Sequence, residues 1–412
     1  MTKTARIPGL PSYFIVFVAS MVAIGPFAID TYLPAMPAMA VSLGVEIVSV
    51  NATLSAYLFG FAFGQLFGGP ISDQIGRRKI GIIGLVVFSA ASLLISSASS
   101  ISAVLALRGL QAIGGGFATV ICMAMVRDAY EPLEAAKRFP VVMLVMLGAP
   151  LVAPGIGVLL LSFGWESIFV FLAAYAVIVL IAFLPVPETA TTASGKVQLG
   201  RILPQYIEVL TRRVEGRHIP LRYIFTQGLM MSGTFVFITN ASFIYLQHFE
   251  IEPKWFVFYF GINIAMMMVF TLATSRLIHR VAPYRLWRFG RTLQFSALVL
   301  LAVGVTLTDI PLWAFAALLA VAIGAGGMIN PSVTGLYLAY FERLSGSAVS
   351  LMNTMVFLVG SVLGIVTGLF FDDTLKPIVY TMAAAVAVGN LVALWIPAPE
   401  GFGGTAEEGQ EL

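Results

Sequence analysis

From Tyr13 to Ile396, apolar windows follow one another with breaks short enough to be loops, apart from one longer interruption at mid-chain. A helix that crosses the hydrocarbon core of a bilayer needs about twenty mostly apolar residues, and the windows have that length. Composition leaves them nowhere else to go. The 412 residues are 59% hydrophobic and 10% charged, with a mean hydropathy of +0.95, whereas a soluble domain is about 45–50% apolar and 25% charged. A folded chain of this size still exposes a large share of its surface, so no water-soluble fold hides this much apolar area. The chain reads as an all-α polytopic membrane protein.

Twelve spans are predicted, at 13–38, 49–72, 80–99, 102–127, 138–161, 165–186, 222–246, 255–278, 287–307, 311–337, 347–371 and 376–396. The breaks carry turn chemistry: LGVEI, SASS, FGWES, LTDIP and DDTLKP. The interruption from Pro187 to Arg222 is the stretch rich in charge and small polar residues. It divides the chain into six spans and six, the pattern of two parallel repeats. The expected organisation is a six-helix lobe over 1–187, a central linker over 188–221, a second six-helix lobe over 222–398 and a tail over 399–412. The N-terminal MTKTARIPGLPS is too polar and too briefly basic for a cleavable signal, so the first apolar run is expected to be a permanent span.

Basic residues set the orientation. With the N-terminus inside, one face collects Lys3 and Arg6, Arg77 to Lys79, and Arg127, Lys137 and Arg138. The same face collects Lys196, Arg201, Arg212, Arg213, Arg217 and Arg222 of the linker, five arginines between spans 8 and 9, and Arg343. The other face has Lys254 and Lys376, and Arg108 falls inside a span. By the positive-inside rule, both termini and the linker are expected in the cytoplasm. The net charge of +3 gives no reason to expect a nucleic-acid partner. Cys122 is the one cysteine, and the three histidines lie in polar segments without a metal-binding cluster.

An ionisable side chain inside a bilayer costs about 2.5–3.5 kcal/mol on the gentlest scale, so one that is kept needs a reason. Asp30 is the acid that stands out, about 10 Å from the outer end of span 1 at 1.5 Å per residue. Arg108 enters span 4 from the same face, to a depth of about 9 Å. Two opposite charges at one depth point to a shared polar cavity and to proton coupling, where a carboxylate's proton affinity depends on whether substrate or arginine is near. A fixed ion pair tying span 1 to span 4 is the structural alternative. Gln111 lies one turn inward of Arg108 on the same helical face, placed for a ligand or for a neighbouring helix.

Between spans 2 and 3 runs Gly69-Pro-Ile-Ser-Asp73-Gln-Ile-Gly76-Arg77-Arg78-Lys79. An aspartate at a helix C-terminus faces the negative end of the dipole and needs a partner, while Gly76 permits the tight turn. Arg127 and Asp128, at the inner end of span 4, offer matching charges. Span 1 carries Ala28-Ile-Asp30-Thr-Tyr32-Leu-Pro34-Ala-Met-Pro37, and span 4 carries Arg108-Gly-Leu-Gln111-Ala-Ile-Gly114. Span 5 carries Gly148-Ala-Pro150-Leu-Val-Ala-Pro154-Gly-Ile-Gly157.

Together these segments resemble the major facilitator superfamily, in its Bcr/CflA branch of drug:proton antiporters, in order and spacing over nearly the whole chain. The resemblance implies the major facilitator fold and a bacterial inner membrane. It implies Asp30 as the protonatable carboxylate and Arg108 as its responsive partner. Gly69, Asp73, Gly76, Arg77, Arg78, Arg127 and Asp128 would belong to an inner gate. Gly148, Pro150, Pro154 and Gly157 would form an antiporter motif that shapes the seam between lobes. Two departures stand out: Trp165-Glu166-Ser167 replaces the usual Trp-Arg-Trp type of turn, and the loop from Arg276 to Arg291 lacks the Asp-Gly-Arg-Arg pattern.

Glycines recur at every fourth position in span 2 (Gly60, Gly64, Gly68) and span 11 (Gly360, Gly364, Gly368), a spacing that lets helices approach closely. Since facilitator-type transporters pack spans 2 and 11 across the lobe interface, both rows are expected there. The second half has amides (Gln227, Asn240, Asn263, Asn330, Asn353), aromatics and methionines in place of charges inside its spans. One charged wall and one polarisable apolar wall suit amphiphilic organic ligands, and Tyr57, Gln111, Met146, Phe235 and Asn240 are the expected contacts.

The expected function is proton-coupled export of small organic molecules of the phenicol or bicyclomycin kind, one proton per cycle. Export of an endogenous metabolite or siderophore, and facilitator-type import of a metabolite, share the scaffold. No enzyme is expected, since no intramembrane His pair, metal cluster or Ser-His-Asp set is present, and no GxxxxGK[ST] loop holds a nucleotide. No cofactor is expected beyond the proton gradient. The partners are then protons, a small-molecule substrate and the lipid bilayer, with a monomer as the working unit.

Overall fold

A computed structural model describes residues 7–190, 199–341 and 344–397. Lys3, Arg6, Lys196, Arg343 and the tail 399–412 lie outside the described residues. Twelve helices long and apolar enough to cross a membrane run through the described chain: Phe14–Leu43, Ile47–Ile75, Arg77–Ser96, Ile101–Ala129, Pro132–Leu161 and Glu166–Phe183, then Ile219–His248, Pro253–Leu277, Pro283–Leu307, Leu312–Leu338, Gly346–Leu369 and Lys376–Ala393. The span numbers below refer to these helices in order.

Span ends follow local chemistry. Ser100 caps span 4 by accepting the Ala103 N–H at 3.3 Å, satisfying one of the orphan donors of a first turn. Gly44 closes span 1 at φ +63°, a conformation that suits glycine. Span 1 is α-helical to Asp30, tightens into a 3-10 turn over Leu33–Ala35 and resumes as an α-helix over Met36–Leu43. Pro34 and Pro37 explain the break, since each lacks an N–H to donate. Span 5 starts at Pro132, earlier than its apolar run. Its extra first turn holds the ion pairs of Glu134 with Lys137, at 2.9 Å, and with Arg138.

A thirteenth helix, Leu199–Thr211, lies in the linker, where no element was expected. Its apolar stripe Ile202, Tyr206 and Val209 is buried against Ile219, Tyr223, Trp287 and Tyr337 of the second lobe. The Tyr206 hydroxyl reaches the other way and donates to the Leu66 carbonyl of span 2 at 2.7 Å. Burial pushes that hydroxyl's pKa up, so it stays a neutral donor.

The lobes meet chiefly through spans 2 and 11, spans 5 and 8, and spans 1, 2 and 7. Spans 2 and 11 touch along their length: Ser361 Oγ donates to the Ser55 carbonyl at 2.8 Å, and Ser350 Oγ to the Gln65 carbonyl at 3.3 Å. Spans 5 and 8 meet through their halves remote from the basic loops, where Leu151 approaches Gly261 and Val257 approaches Gly155. Ser242 of span 7 donates to the Leu33 carbonyl of span 1 at the same level. Among the described residues, spans 4 and 10 make no extended contact. The lobes are thus clamped on the face away from the basic loops and are held less tightly toward the basic face.

The glycine rows correct an expectation. Gly60, Gly64 and Gly68 do not face span 11; a Cβ on them would meet the Gly109 carbonyl, the Ile113 carbonyl and the Phe117 side chain of span 4. They let two helices of one lobe touch backbone to backbone. In span 11, Gly360 faces Phe235 of span 7, while Gly364 and Gly368 face Ser55 and Val48 of span 2. One row therefore belongs to a lobe interior, and the other lies partly at the seam.

Candidate functional site

Arg108 is fully buried in span 4, and Asp30 is 4% exposed in span 1. Nη1 of Arg108 donates to the Ala28 carbonyl at 3.1 Å and to Gln111 Oε1 at 2.7 Å. Gln111 Nε2 donates to Ser92 Oγ at 2.7 Å, and Ser92 to the Phe88 carbonyl. The guanidinium also sits among three rings, with its central carbon 4.5 Å from the Tyr57 centroid, 4.9 Å from Tyr32 and 5.7 Å from Phe169. A desolvated cation over an aromatic face gains about 2 kcal/mol per favourable ring, which offsets part of the burial cost.

Asp30 and Arg108 do not form an ion pair here. Asp30 Oδ1, Tyr57 Oη, and Nε and Nη2 of Arg108 are all buried without a hydrogen-bond partner. Sequence position alone placed these charges at one depth; the fold seals them in the lobe interior and sets the Tyr57 ring against the cation. Tyr32, two residues after Asp30, is locked by its hydroxyl to Thr53 Oγ1 at 2.9 Å and to Met39 Sδ at 3.3 Å. Unsatisfied buried polar atoms are rare in native proteins and demand an account. Four of them lie in this one cluster, and two belong to Arg108.

From Tyr57 an aromatic run crosses the seam. Tyr57 stacks on Phe61 at 5.8 Å, Phe61 meets Phe357 of span 11 at 4.9 Å, and Phe357 meets Phe235 of span 7 at 5.1 Å. Asn51 Nδ2 donates to Asn240 Oδ1 at 3.2 Å, while Asn240 Nδ2 donates to the Val236 carbonyl at 2.8 Å. Both amides are buried, so this bridge joins span 2 to span 7. The fold thus connects Tyr57, Gln111 and Phe235 to the Arg108 cluster and leaves Asn240 as a clasp between lobes. Met146 stands apart, 46% exposed in the half of span 5 where the lobes are less tightly held. It shares a helical face with buried Ala149 and Ala153.

The segment of span 5 from Gly148 to Gly157 is unevenly packed. A Cβ on Gly157 would strike the Thr31 carbonyl beside Asp30, whereas nothing lies within 4 Å of one on Gly148. Pro154 is buried in span 5, and Pro150 is half-buried. The turn at Trp165 is held without the usual arginine: Ser167 Oγ donates to the Leu160 and Gly164 carbonyls, and Trp165 packs edge-on against Phe169.

On the basic face, Arg77 collects the residues expected at an inner gate. It pairs with Asp73, donates from Nε to Asp128 Oδ2 at 3.3 Å, and donates from Nη1 to Ser72 Oγ at 2.5 Å and the Gly69 carbonyl at 3.5 Å. Arg127, its side chain 67% exposed, lies 3.8 Å from Asp128. Arg78 donates to the Leu184 carbonyl at 2.7 Å. Glu188 completes the cluster and was missed in the sequence: its carboxylate accepts the backbone N–H groups of Arg77 and Arg78 at 2.8 and 3.1 Å. An anion at a helix N-terminus is favoured by the dipole. Gly76, at φ +110°, leaves room for that carboxylate, which a Cβ would strike. The cluster ties spans 2, 3, 4 and 6 within one lobe, and among the described residues it makes no bond across the seam.

Other residues to which the sequence assigned no role are Tyr32, Phe169, Ser92, Asn51, Ser242 and Phe357. Asn51 carried a signal, as a lone amide in an apolar stretch, and Tyr32 another, as the aromatic nearest Asp30.

The comparisons with known proteins point the same way. A family model described as Major Facilitator Superfamily matches residues 13–365. The bicyclomycin resistance protein homolog of Haemophilus influenzae is 28% identical over 383 residues, which cover 92% of this chain and 94% of that protein. The multidrug resistance protein MdtL of Salmonella paratyphi C is 32% identical over 293 residues, covering 70% and 71%. Among solved structures, a D-xylose-proton symporter superposes with a TM-score of 0.72 at 14% identity, over 94% of this chain and 98% of the other. The nucleoside transporter NupG gives 0.69 at 14%, over 92% and 97%. At such identity these two show the fold alone, twelve helices in two six-helix lobes.

Proposed function

Because this chain belongs to the major facilitator superfamily, a family of transporters and not of enzymes, we propose that it is a proton-coupled exporter of small organic molecules. The observation that carries this reading is the buried cluster in which Asp30 and Arg108 keep unpartnered polar atoms beside the Tyr57 ring. An ionised carboxylate buried without a cation costs several kcal/mol. Proton loss from Asp30 therefore draws Arg108 away from the Ala28 carbonyl and Gln111. Proton uptake returns it. The guanidinium rests on Tyr57, and Tyr57 opens the aromatic run to Phe235, so its movement reaches the surface where the lobes meet.

The expected cargo is neutral or zwitterionic and amphiphilic, as phenicols and bicyclomycin are. One carboxylate supports one proton per cycle. The names of the relatives, bicyclomycin resistance and multidrug resistance, support a drug cargo. The placement is a bacterial inner membrane with the basic face and both termini in the cytoplasm. The chain acts as a monomer and draws on the proton gradient without a further cofactor. In that orientation, the clamp at Ser242, Asn51 and Asn240 closes the outer side.

The test is transport of a chloramphenicol-type drug into proteoliposomes under an imposed pH gradient, with the natural protein and Asp30→Asn. Movement driven by the gradient and lost in the variant is expected. Full gradient-driven movement by Asp30→Asn would sink the proton assignment. A natural protein that moves a metabolite but no drug would replace the cargo and keep the scaffold.

A further inference from the structure

We propose that the basic-face ends of spans 7 and 12 hold an anionic phospholipid, its headgroup on Arg217 and Arg222 and an acyl chain along span 12. Two grooves open here and share Arg222 and Trp395. One, of 310 Å³, is walled by Val388, Leu391 and Val392; the other, of 430 Å³, is reached by Arg217 and Leu394. Their chemistry is divided by depth. Val388 and Leu391 of span 12 and Trp395, in the turn just past its end, form one stripe, 47%, 59% and 68% exposed. At 1.5 Å per residue this stripe is about 10 Å long, enough to carry the first part of an acyl chain. The arginines lie at its basic-face end.

The headgroup end is organised in advance. Arg222 donates to the Trp395 carbonyl, and its guanidinium lies 5.9 Å from the Trp395 ring. Arg217 is fixed by the paired backbone bonds Val214–Arg217 at 2.9 and 3.0 Å, in a turn whose Glu215 and Gly216 take positive φ. Tryptophan is enriched at the membrane interface, and basic pockets between transmembrane helices at this level bind anionic headgroups. One anchored guanidinium and a second cation on a fixed turn above an exposed apolar stripe fit a phosphodiester carrying acyl chains; a free phosphate leaves the stripe unused. The sequence after Pro397 is acidic, with Glu400, Glu407, Glu408 and Glu411, and is the competing source of negative charge. The apolar stripe favours the lipid. This inference does not depend on the transport reading.

Full-length protein in a neutral detergent is titrated with phosphatidylglycerol, with phosphatidylcholine of the same acyl chains, and with inorganic phosphate, following the thermal unfolding midpoint. Phosphatidylglycerol alone should raise the midpoint, and its apparent affinity should fall about fivefold for each arginine removed, in Arg217→Gln and in Arg217→Gln/Arg222→Gln. Arg217 is exposed on a turn, so its single variant folds even if the double one does not. Affinity unchanged in Arg217→Gln, or equal stabilisation by phosphatidylcholine, would overturn the proposal. Equal stabilisation by inorganic phosphate would make this a phosphate site. A chain ending at residue 400 that gains phosphatidylglycerol binding which the full chain lacks would give the groove to the acidic tail.

Discussion

The guanidinium of Arg108 lies 4.5 Å from the centre of the Tyr57 ring, and both side chains keep a buried polar atom without a partner. The ring face holds the cation, and the hydroxyl is not spent on holding anything. The two parts of Tyr57 are therefore separable. Tyr57→Phe keeps the ring and should leave gradient-driven drug transport within about twofold, whereas Tyr57→Leu removes a cation–π contact of about 2 kcal/mol and should lower it about thirtyfold. Initial rates in proteoliposomes decide. Equal rates for the two variants would show that the ring does not seat the cation.

Arg108 is held by a planar fork that reaches the Ala28 carbonyl and Gln111 from one nitrogen while its face lies among Tyr57, Tyr32 and Phe169. A lysine carries the charge as a point and cannot stack. Arg108→Lys should fold but lose at least about tenfold of gradient-driven transport, as expected when a stacked, hydrogen-bonded arginine is replaced by a point charge. Drug binding to the detergent-solubilised protein, measured alongside, separates a lost cargo site from lost coupling. Wild-type transport by this variant would reduce Arg108 to a bare positive charge.

Asn51 and Asn240 join spans 2 and 7, and Ser242 joins span 7 to span 1. A buried hydrogen bond is worth about 0.5–1.5 kcal/mol net, so Asn240→Ala should shift the balance between arrangements of the lobes by up to about tenfold. Thr239, buried beside this bridge, offers a reporter: Thr239→Cys in a Cys122→Ser background. Its labelling by a membrane-impermeant maleimide from the outer side should accelerate in Asn240→Ala. An unchanged labelling rate would mean that the amide bridge does not hold that side closed.

Two glycines of span 5 make opposite predictions for one substitution. Gly157→Ala drives a methyl into the Thr31 carbonyl, and overpacking costs about 1–3 kcal/mol. Gly148→Ala meets nothing within 4 Å and gains the helix preference of alanine, about 0.5–1 kcal/mol. The unfolding midpoint should fall in the first and hold or rise in the second. The reverse order would contradict the packing of span 5 on span 1.

The spans were legible because a bilayer demands length and apolarity, and both are written in order along the chain. Asp30 and Arg108 were legible for the same reason: a charge in a bilayer is conspicuous. What they touch was not. Tyr57, Tyr32 and Phe169 come from three different spans, and an aromatic among thirty-one phenylalanines and thirteen tyrosines carries no mark of the cation it faces. The glycine rows show the same limit. Spacing by fours tells that a helix will be approached closely, but a helix in a bundle has several neighbours, and span 2 turned its row to span 4. Glu188 was hidden because a carboxylate after Pro187 reads as linker until the start of span 3 is seen above it. The linker helix escaped because its apolar stripe is short and its partner surface lies in the other lobe.

The charged cluster lies wholly within the first six spans, while the second half supplies rings and amides to the seam. The two halves thus differ in kind, the first holding the Asp30 and Arg108 cluster and the second presenting a surface at the seam. Substitutions at Phe235, Asn240 or Phe357 can redraw that surface without touching Arg108 or its ring of aromatics. One half is then open to variation at the seam while the other is held by the contacts of its buried charge.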